Sequence, residues 1–123
     1  MTAQPTPNVA SADVERIVRR DFPADRNAEV LAMLNEYGRD VSQLEPFRVR
    51  LAVLKLAAGN IERLRYEIEG AKCDYRDVLA PAEYPNYCKR VHPSRELPPD
   101  ELQRIIDSDW NQYQDWLTRD HAA

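Results

Sequence analysis

The apolar positions between residues 46 and 58 repeat at the spacing of an α-helix. One set recurs every three or four residues, and a second covers the adjacent side: Phe47, Leu51, Leu54 and Ala58, then Val49, Val53 and Leu56. A helix that is apolar around most of its circumference is normally central in its fold. Pro46 suits the first helical position, and Gly59 suits the residue after the last turn. The pattern therefore predicts a central helix over 46–58.

A more regular apolar stripe begins directly after this helix. It takes alternating steps of three and four residues through Ile61, Leu64, Ile68, Ala71, Tyr75 and Val78. The spacing predicts a helix over 61–79 that packs along its neighbour at a shallow angle. Only Gly59 and Asn60 separate the two helices, so we expect an antiparallel hairpin. The opposite side of 61–79 is charged and is interpreted as a solvent-facing surface.

Three further helices are predicted outside this pair. They cover about residues 11–21, 26–37 and 99–119. Pro81 is expected to end or kink the long helix near residue 80, because proline cannot continue the regular hydrogen-bond ladder. Val41 and Leu44, in the connection before the central helix, are expected to point inward.

Together these patterns predict an all-α protein. We expect a compact bundle of four to five helices, built around the hairpin of 46–58 and 61–79. A flexible N-terminal tail at 1–10 is expected to precede a single helical domain over 11–123. The last helix is acidic, so Arg48, Arg50 and Lys55 are expected to face it at the rim of the central helix.

The composition of the chain makes some classes of function unlikely. The chain has 123 residues, with 17 basic and 21 acidic side chains and a net charge of −4. This mildly acidic balance makes nucleic acid an unlikely partner. The N-terminal stretch lacks the basic and apolar regions of a signal peptide, and no apolar run approaches the length of a membrane span. We therefore expect a cytoplasmic protein without a membrane partner.

The residues that could bind a metal are few. They are Cys73, Cys88, His92 and His121. Cys88 and His92 are four residues apart, which suits zinc on a helix, but no second closely spaced pair exists. No metal site and no cofactor are predicted. The two cysteines are too few for a disulfide framework.

A group of acidic residues is the candidate for chemistry. Asp74 and Asp77 share one side of the predicted helix, and Glu83 and Tyr84 follow. General acid–base catalysis needs such groups close together in a pocket. The sequence contains no glycine-rich phosphate loop and none of the common hydrolase motifs, so no catalytic residue is predicted. The alternative is that Asp77 and Arg76 pair with neighbouring helices or cap the following corner.

The irregular stretch 81–99 is the candidate for recognition. It combines tyrosines with basic residues, a mixture enriched at protein interfaces. The predicted binding residues lie in and before it: Asp74, Arg76, Asp77, Glu83, Tyr84, Tyr87 and Arg90. Alternatively, its tyrosines only close one end of the bundle.

An aromatic stripe marks the last helix. Trp110, Tyr113 and Trp116 repeat at helical spacing, and the pattern is interpreted as core. An exposed tryptophan would instead indicate a homo-oligomer through Trp110 and Trp116.

Residues 48–85 and the last helix resemble a known family. The segments that carry the resemblance are LKLAAGN, AKCDYRDVLA and DWNQYQDWL. They resemble a small family of uncharacterised bacterial helical proteins. The resemblance implies a helical fold and a bacterial origin, but no activity. Pro81 departs from the family pattern, in which the corresponding segment continues as a helix.

Two functions are open at this point. The first is a non-enzymatic protein–protein interaction module, such as an adaptor or an immunity- or antitoxin-like partner. The second is a small enzyme or ligand-binding protein that uses Asp74, Asp77, Glu83 and Tyr84.

Overall fold

The computed structural model describes residues 4–92 and 94–121, and within them the chain is all-helical. No β-strand is present in these ranges, although an isolated bridge pairs His92 with Arg95. The seven α-helices are α1 (Ser11–Asp21), α2 (Asn27–Leu34), α3 (Pro46–Ala57), α4 (Ile61–Cys73), α5 (Arg76–Glu83), α6 (Pro85–Arg90) and α7 (Pro99–Thr118), and Ala24–Arg26 form a 3-10 turn. The all-α prediction is confirmed, whereas the predicted number of four to five helices is not.

Helix α3 lies against three other helices, α1, α4 and α5. Half of its residues are buried: Val49, Leu51, Ala52, Val53, Leu54 and Ala57. Ala58 and Gly59 adopt left-handed conformations, with φ of 49° and 81°, and so turn the chain towards α4. Asn60 then caps α4, because its side-chain oxygen accepts the N–H of Arg63 at 2.9 Å.

The core extends from this helix to both ends of the chain. Helix α1 contributes Val14, Ile17 and Val18, and α7 contributes Tyr113, Trp116 and Leu117. Helix α7 also packs against α5 and α6. Tyr113 and Trp116 of the aromatic stripe are therefore buried, as its spacing predicted, whereas Trp110 is only partly buried.

The predicted single helix over 61–79 was wrong, because the chain breaks at Asp74. This residue is extended, with φ −157° and ψ 108°, and it separates α4 from α5. Its carboxylate accepts the backbone N–H of Arg76 at 3.1 Å. A short polar side chain that bonds to nearby backbone competes with helix continuation, which explains why a new helix starts here.

Pro81 does not end the helix that contains it. It lies inside α5, which continues to Glu83, and the Tyr84 N–H still donates to the Ala80 carbonyl at 3.0 Å. Proline has no backbone N–H, so one carbonyl group of the preceding turn has no intrahelical partner. Because Pro81 is exposed, that carbonyl group can bond to water. Pro85 then begins α6, so the stretch 81–99 is partly helical and not irregular throughout.

The connection between α2 and α3 also differs from the prediction. Val41 and Leu44 are 96% and 51% exposed and so do not point inward. Helix α2 ends at Leu34, before the predicted residue 37, and the Arg50 guanidinium donates to the carbonyls of Leu34 and Tyr37 at 3.1 and 2.6 Å. Arg50 therefore holds the end of α2 and does not bridge to the acidic last helix.

No helix within residues 4–92 and 94–121 combines the length and the apolar character needed to cross a membrane. The longest, α7, has polar and charged side chains over its exposed positions.

Two glycines are expected to respond in opposite ways to alanine. Gly38 has φ +106°, and an added Cβ would lie 2.8 Å from Arg50 Nη2 and 2.9 Å from Pro46 Cβ. Gly38→Ala should therefore lower the free energy of unfolding by about 1–2 kcal/mol. Gly70 lies in α4 with no atom within 4 Å of an added Cβ, so Gly70→Ala should raise it by about 0.5–1 kcal/mol. Urea denaturation measures both, and equal effects would contradict this account.

Candidate functional site

The seven predicted binding residues follow one another from the end of α4 through α5 to α6, but they do not form one site. Asp74 lines a surface cavity together with residues of the α2–α3 connection. Glu83 and Tyr84 line a different cavity, against α7. Asp77 is exposed in the first turn of α5 and lines neither of these two cavities.

Asp74 and Arg76 bind each other at the surface. The Arg76 guanidinium donates to both carboxylate oxygens of Asp74, at 3.0 and 2.9 Å. The same hydrogen bonds hold the pKa of Asp74 below its usual value. This pair closes the turn between α4 and α5, so its role in the structure is local capping.

Glu83 is buried and forms an ion pair with the central helix. Its two oxygens accept Nε and Nη2 of Arg48 at 2.8 and 2.6 Å, and its side chain is 5% exposed. The hydrogen bonds to Glu83 raise the pKa of Arg48. The pair joins α3 to α5, so Arg48 does not face the acidic α7 as the sequence predicted. Both oxygens of this carboxylate are therefore bonded to Arg48.

Asp109 is a buried acid that the sequence analysis missed as a functional residue. It is 2% exposed, and its oxygens accept the backbone N–H groups of Asn86 and Tyr87 at 3.0 and 2.9 Å. These are among the first N–H groups of α6, which have no partner within the helix. The available signal was spacing, because Asp109 lies four residues from the core residues Ile105 and Tyr113.

The N-terminal segment, residues 4–7, closes a small cavity beside these two acids. The cavity has a volume of about 20 Å³, close to that of one water molecule. Its lining residues are Gln4, Pro5, Pro7, Glu83, Tyr84, Ile106, Asp109, Trp110 and Tyr113. Pro7 is buried there, although the sequence placed it in a flexible tail. The flexibility of residues 1–10 stays a prediction, and residues 1–3 lie outside the described ranges.

We call the surface formed by Tyr84, Trp110 and Tyr113 the aromatic pocket. Tyr84 meets the ring of Tyr87 edge-on, with centroids 6.1 Å apart. Tyr113 is buried, and its burial raises the pKa of its hydroxyl group. Within the described chain, neither the Tyr113 hydroxyl nor Gln4 Nε2 has a hydrogen-bond partner. The N-terminal segment therefore occupies the pocket but leaves the Tyr113 hydroxyl and the Gln4 side-chain N–H group without hydrogen-bond partners.

Arg90 belongs to a separate groove between α6 and α7. Its guanidinium bonds to Glu101 at 2.7 Å, and both residues line a groove of about 510 Å³ together with Arg104. Tyr87 contacts Tyr84 but lines neither this groove nor the cavity at the N-terminal segment.

The two tryptophans lie in different environments. Trp116 is 7% exposed, packs 5.5 Å from Tyr113 and carries the Arg20 guanidinium over its ring. Trp110 is partly buried beneath the N-terminal segment. Trp116 therefore packs against residues of its own chain. A homo-oligomer through Trp110 and Trp116 stays a prediction.

The candidate metal ligands are not gathered into a site. Cys73 and Cys88 are both free and exposed. Across residues 4–92 and 94–121, no group of three or more histidine, cysteine, aspartate or glutamate side chains could hold a metal ion.

Comparison with protein-family models, with curated proteins and with solved structures gave no match to this chain. The resemblance to a family of bacterial helical proteins therefore stays a prediction.

Proposed function

We propose that this protein is a non-enzymatic interaction module of the bacterial cytoplasm that binds an extended, proline-containing segment of another protein. An adaptor or an immunity- or antitoxin-like partner would act in this way. The observation that supports the proposal is the position of Pro7. It is buried at the aromatic pocket, which already receives one proline-containing segment without helical structure, the chain's own residues 4–7.

The chemistry of the pocket fits such a partner. Proline-rich segments adopt the polyproline II conformation in advance, so they lose little entropy on binding, and they dock into grooves lined by aromatic rings. Here the rings are Tyr84, Trp110 and Tyr113, and the occupant contains Pro5 and Pro7 separated by one residue. The unpaired Tyr113 hydroxyl supplies a hydrogen-bond donor that a better-fitting segment could use.

On this proposal the rest of the fold is a scaffold. Helices α3 and α4 would act as an antiparallel hairpin at its centre, and the Arg48–Glu83 ion pair would hold α5 against it. Asp109 would fix α6 beside the pocket through its hydrogen bonds to Asn86 and Tyr87. Ion pairs also weaken the enzyme alternative, because Arg48 holds the carboxylate of Glu83 and Arg76 holds that of Asp74.

Displacing the N-terminal segment should expose the pocket to peptides. Pro7→Asp places a charge at a buried site beside the acids Glu83 and Asp109, so we expect the segment to leave. Thr6→Asp, at an exposed neighbour, is the matched control. Selection from a displayed random-peptide library should enrich sequences with two prolines separated by one residue on the full-length Pro7→Asp variant, and much less on Thr6→Asp.

A second substitution tests whether the pocket itself binds these peptides. Adding Trp110→Ala to Pro7→Asp should remove the enrichment, because an aromatic ring of the pocket is lost. Far-UV circular dichroism checks that the helices remain, and Pro7→Gly offers a milder displacement. An absence of proline enrichment on both displaced variants, or enrichment that survives Trp110→Ala, would contradict the proposal.

A further inference from the structure

A second cavity lies where three helices end, away from the aromatic pocket. Helix α1 ends at Asp21, α3 at Ala57 and α7 at Thr118. The cavity has a volume of about 150 Å³, and four charged residues line it: Arg20, Asp21, Lys55 and Arg119. Three of these side chains are basic and one is acidic, in a protein whose net charge is −4.

The single acid is already paired. Arg20 donates Nε and Nη2 to the two oxygens of Asp21, at 2.7 and 3.2 Å, and both side chains are largely buried. Arg20 also donates to the backbone carbonyls of Trp116 and Arg119, at the end of α7. It thereby satisfies carbonyl groups that would otherwise repel an anion.

Lys55 and Arg119 are the two cations left at this cavity. Neither forms an ion pair within residues 4–92 and 94–121. Lys55 is half-buried, and its burial, followed by the charge of Arg119, lowers its pKa. Arg119 is exposed, so the two like charges meet at one cavity that is open to solvent, where an anion bound between them would be stabilised.

The backbone at this cavity supplies a further donor. Gly59 lines the cavity, and its N–H has no hydrogen-bond acceptor in the described part of the chain. Its neighbours Ala58 and Asn60 both donate to carbonyls at the end of α3. A backbone N–H beside two cations is a common arrangement in sites for oxygen-rich anions.

We propose that this cavity binds a phosphate group, held by Lys55 and Arg119. The ligand is inorganic phosphate or the phosphate of a small monoester, since the volume admits the group itself with little else. The site lies near the end of α7 at Thr118 and shares no lining residue with the aromatic pocket. The proposal therefore does not depend on the peptide-binding function proposed above.

Titration calorimetry on the full-length protein tests the proposal. Inorganic phosphate should bind saturably at constant ionic strength, whereas chloride should not. Lys55→Met and Arg119→Gln should each weaken phosphate binding by about tenfold or more, because each removes a charged hydrogen-bond donor. Arg104→Gln, an exposed arginine on the same helix α7, is the matched control and should leave the affinity unchanged.

Two further measurements separate binding from structural effects. Phosphate should raise the melting temperature of the wild type but not that of Lys55→Met, which keeps the length of the side chain without its charge. Glycerol phosphate, tested in parallel, should bind more tightly than inorganic phosphate if a small monoester is the natural ligand. Non-saturable heats for both phosphates, or equal phosphate affinities of the wild type, Lys55→Met and Arg119→Gln, would overturn the proposal.

Discussion

Arg48→Ala is expected to lower the free energy of unfolding by about 3–5 kcal/mol, because it leaves the buried carboxylate of Glu83 without its counter-charge. Arg48 donates two hydrogen bonds to Glu83, and only 5% of the Glu83 side chain is exposed. The Arg48 side chain is 19% exposed, so water can reach part of the site, and we expect a value near the lower end. Urea denaturation monitored by far-UV circular dichroism measures the change.

Two further variants distinguish a buried ion pair from simple loss of packing. Arg65→Ala removes an exposed arginine from α4 and should change stability by less than about 0.5 kcal/mol. The double variant Arg48→Met/Glu83→Leu removes both charges and keeps most of the volume. It should therefore recover most of the loss, because a buried ion pair contributes little beyond an apolar pair of similar size. A double variant as unstable as Arg48→Ala would contradict this explanation.

Asp109→Ala is expected to lower the free energy of unfolding by about 2–4 kcal/mol, because two buried N–H groups at the start of α6 lose their charged acceptor. Those groups belong to Asn86 and Tyr87, both within 3.0 Å of an Asp109 oxygen. Asp109→Asn keeps one acceptor oxygen and should have an intermediate effect. Denaturant unfolding gives the stability, and hydrogen exchange should show the amides of Asn86 and Tyr87 exchanging faster.

Asp107→Ala is the matched control for this prediction. Asp107 lies two positions earlier on α7, is exposed and accepts a hydrogen bond from the side chain of Gln103. Its removal should change stability by less than about 0.5 kcal/mol. Equal losses from Asp107→Ala and Asp109→Ala would show that helix charge, and not the capping of α6, determines the effect.

The spacing of apolar residues predicted the central helices, because burial of a helix determines which of its positions are apolar. The expected 46–58 corresponds to Pro46–Ala57, and the predicted start at Ile61 is the observed start of α4. The break at Asp74 could not be predicted in this way, since Tyr75 and Val78 continue the apolar stripe by spacing. The Asp74 side chain, which accepts the backbone N–H of Arg76, favours the break there.

The candidate site was harder to predict, because its polar residues bond to partners that lie far away in the sequence. Glu83 pairs with an arginine 35 residues away, and Asp109 bonds to a backbone N–H 23 residues away. The helical spacing of Asp109 from Ile105 and Tyr113 indicates burial, but nothing local in the sequence identifies the partner of either acid. Tyr84 was predicted as a binding residue, and that role stays a prediction. The sequence did not place it beside Trp110 and Pro7, because these residues lie far from it along the chain.

Our central proposal is that residues 4–7 occupy a pocket that binds an extended, proline-containing segment of another protein. The most direct test is calorimetric titration of a synthetic peptide with the sequence of residues 4–9 into full-length protein. We predict saturable binding to Pro7→Asp that is at least about tenfold tighter than binding to the wild type or to Thr6→Asp, in which the chain's own segment still covers the pocket. Equal affinities for all three proteins, or no binding to Pro7→Asp, would contradict the claim.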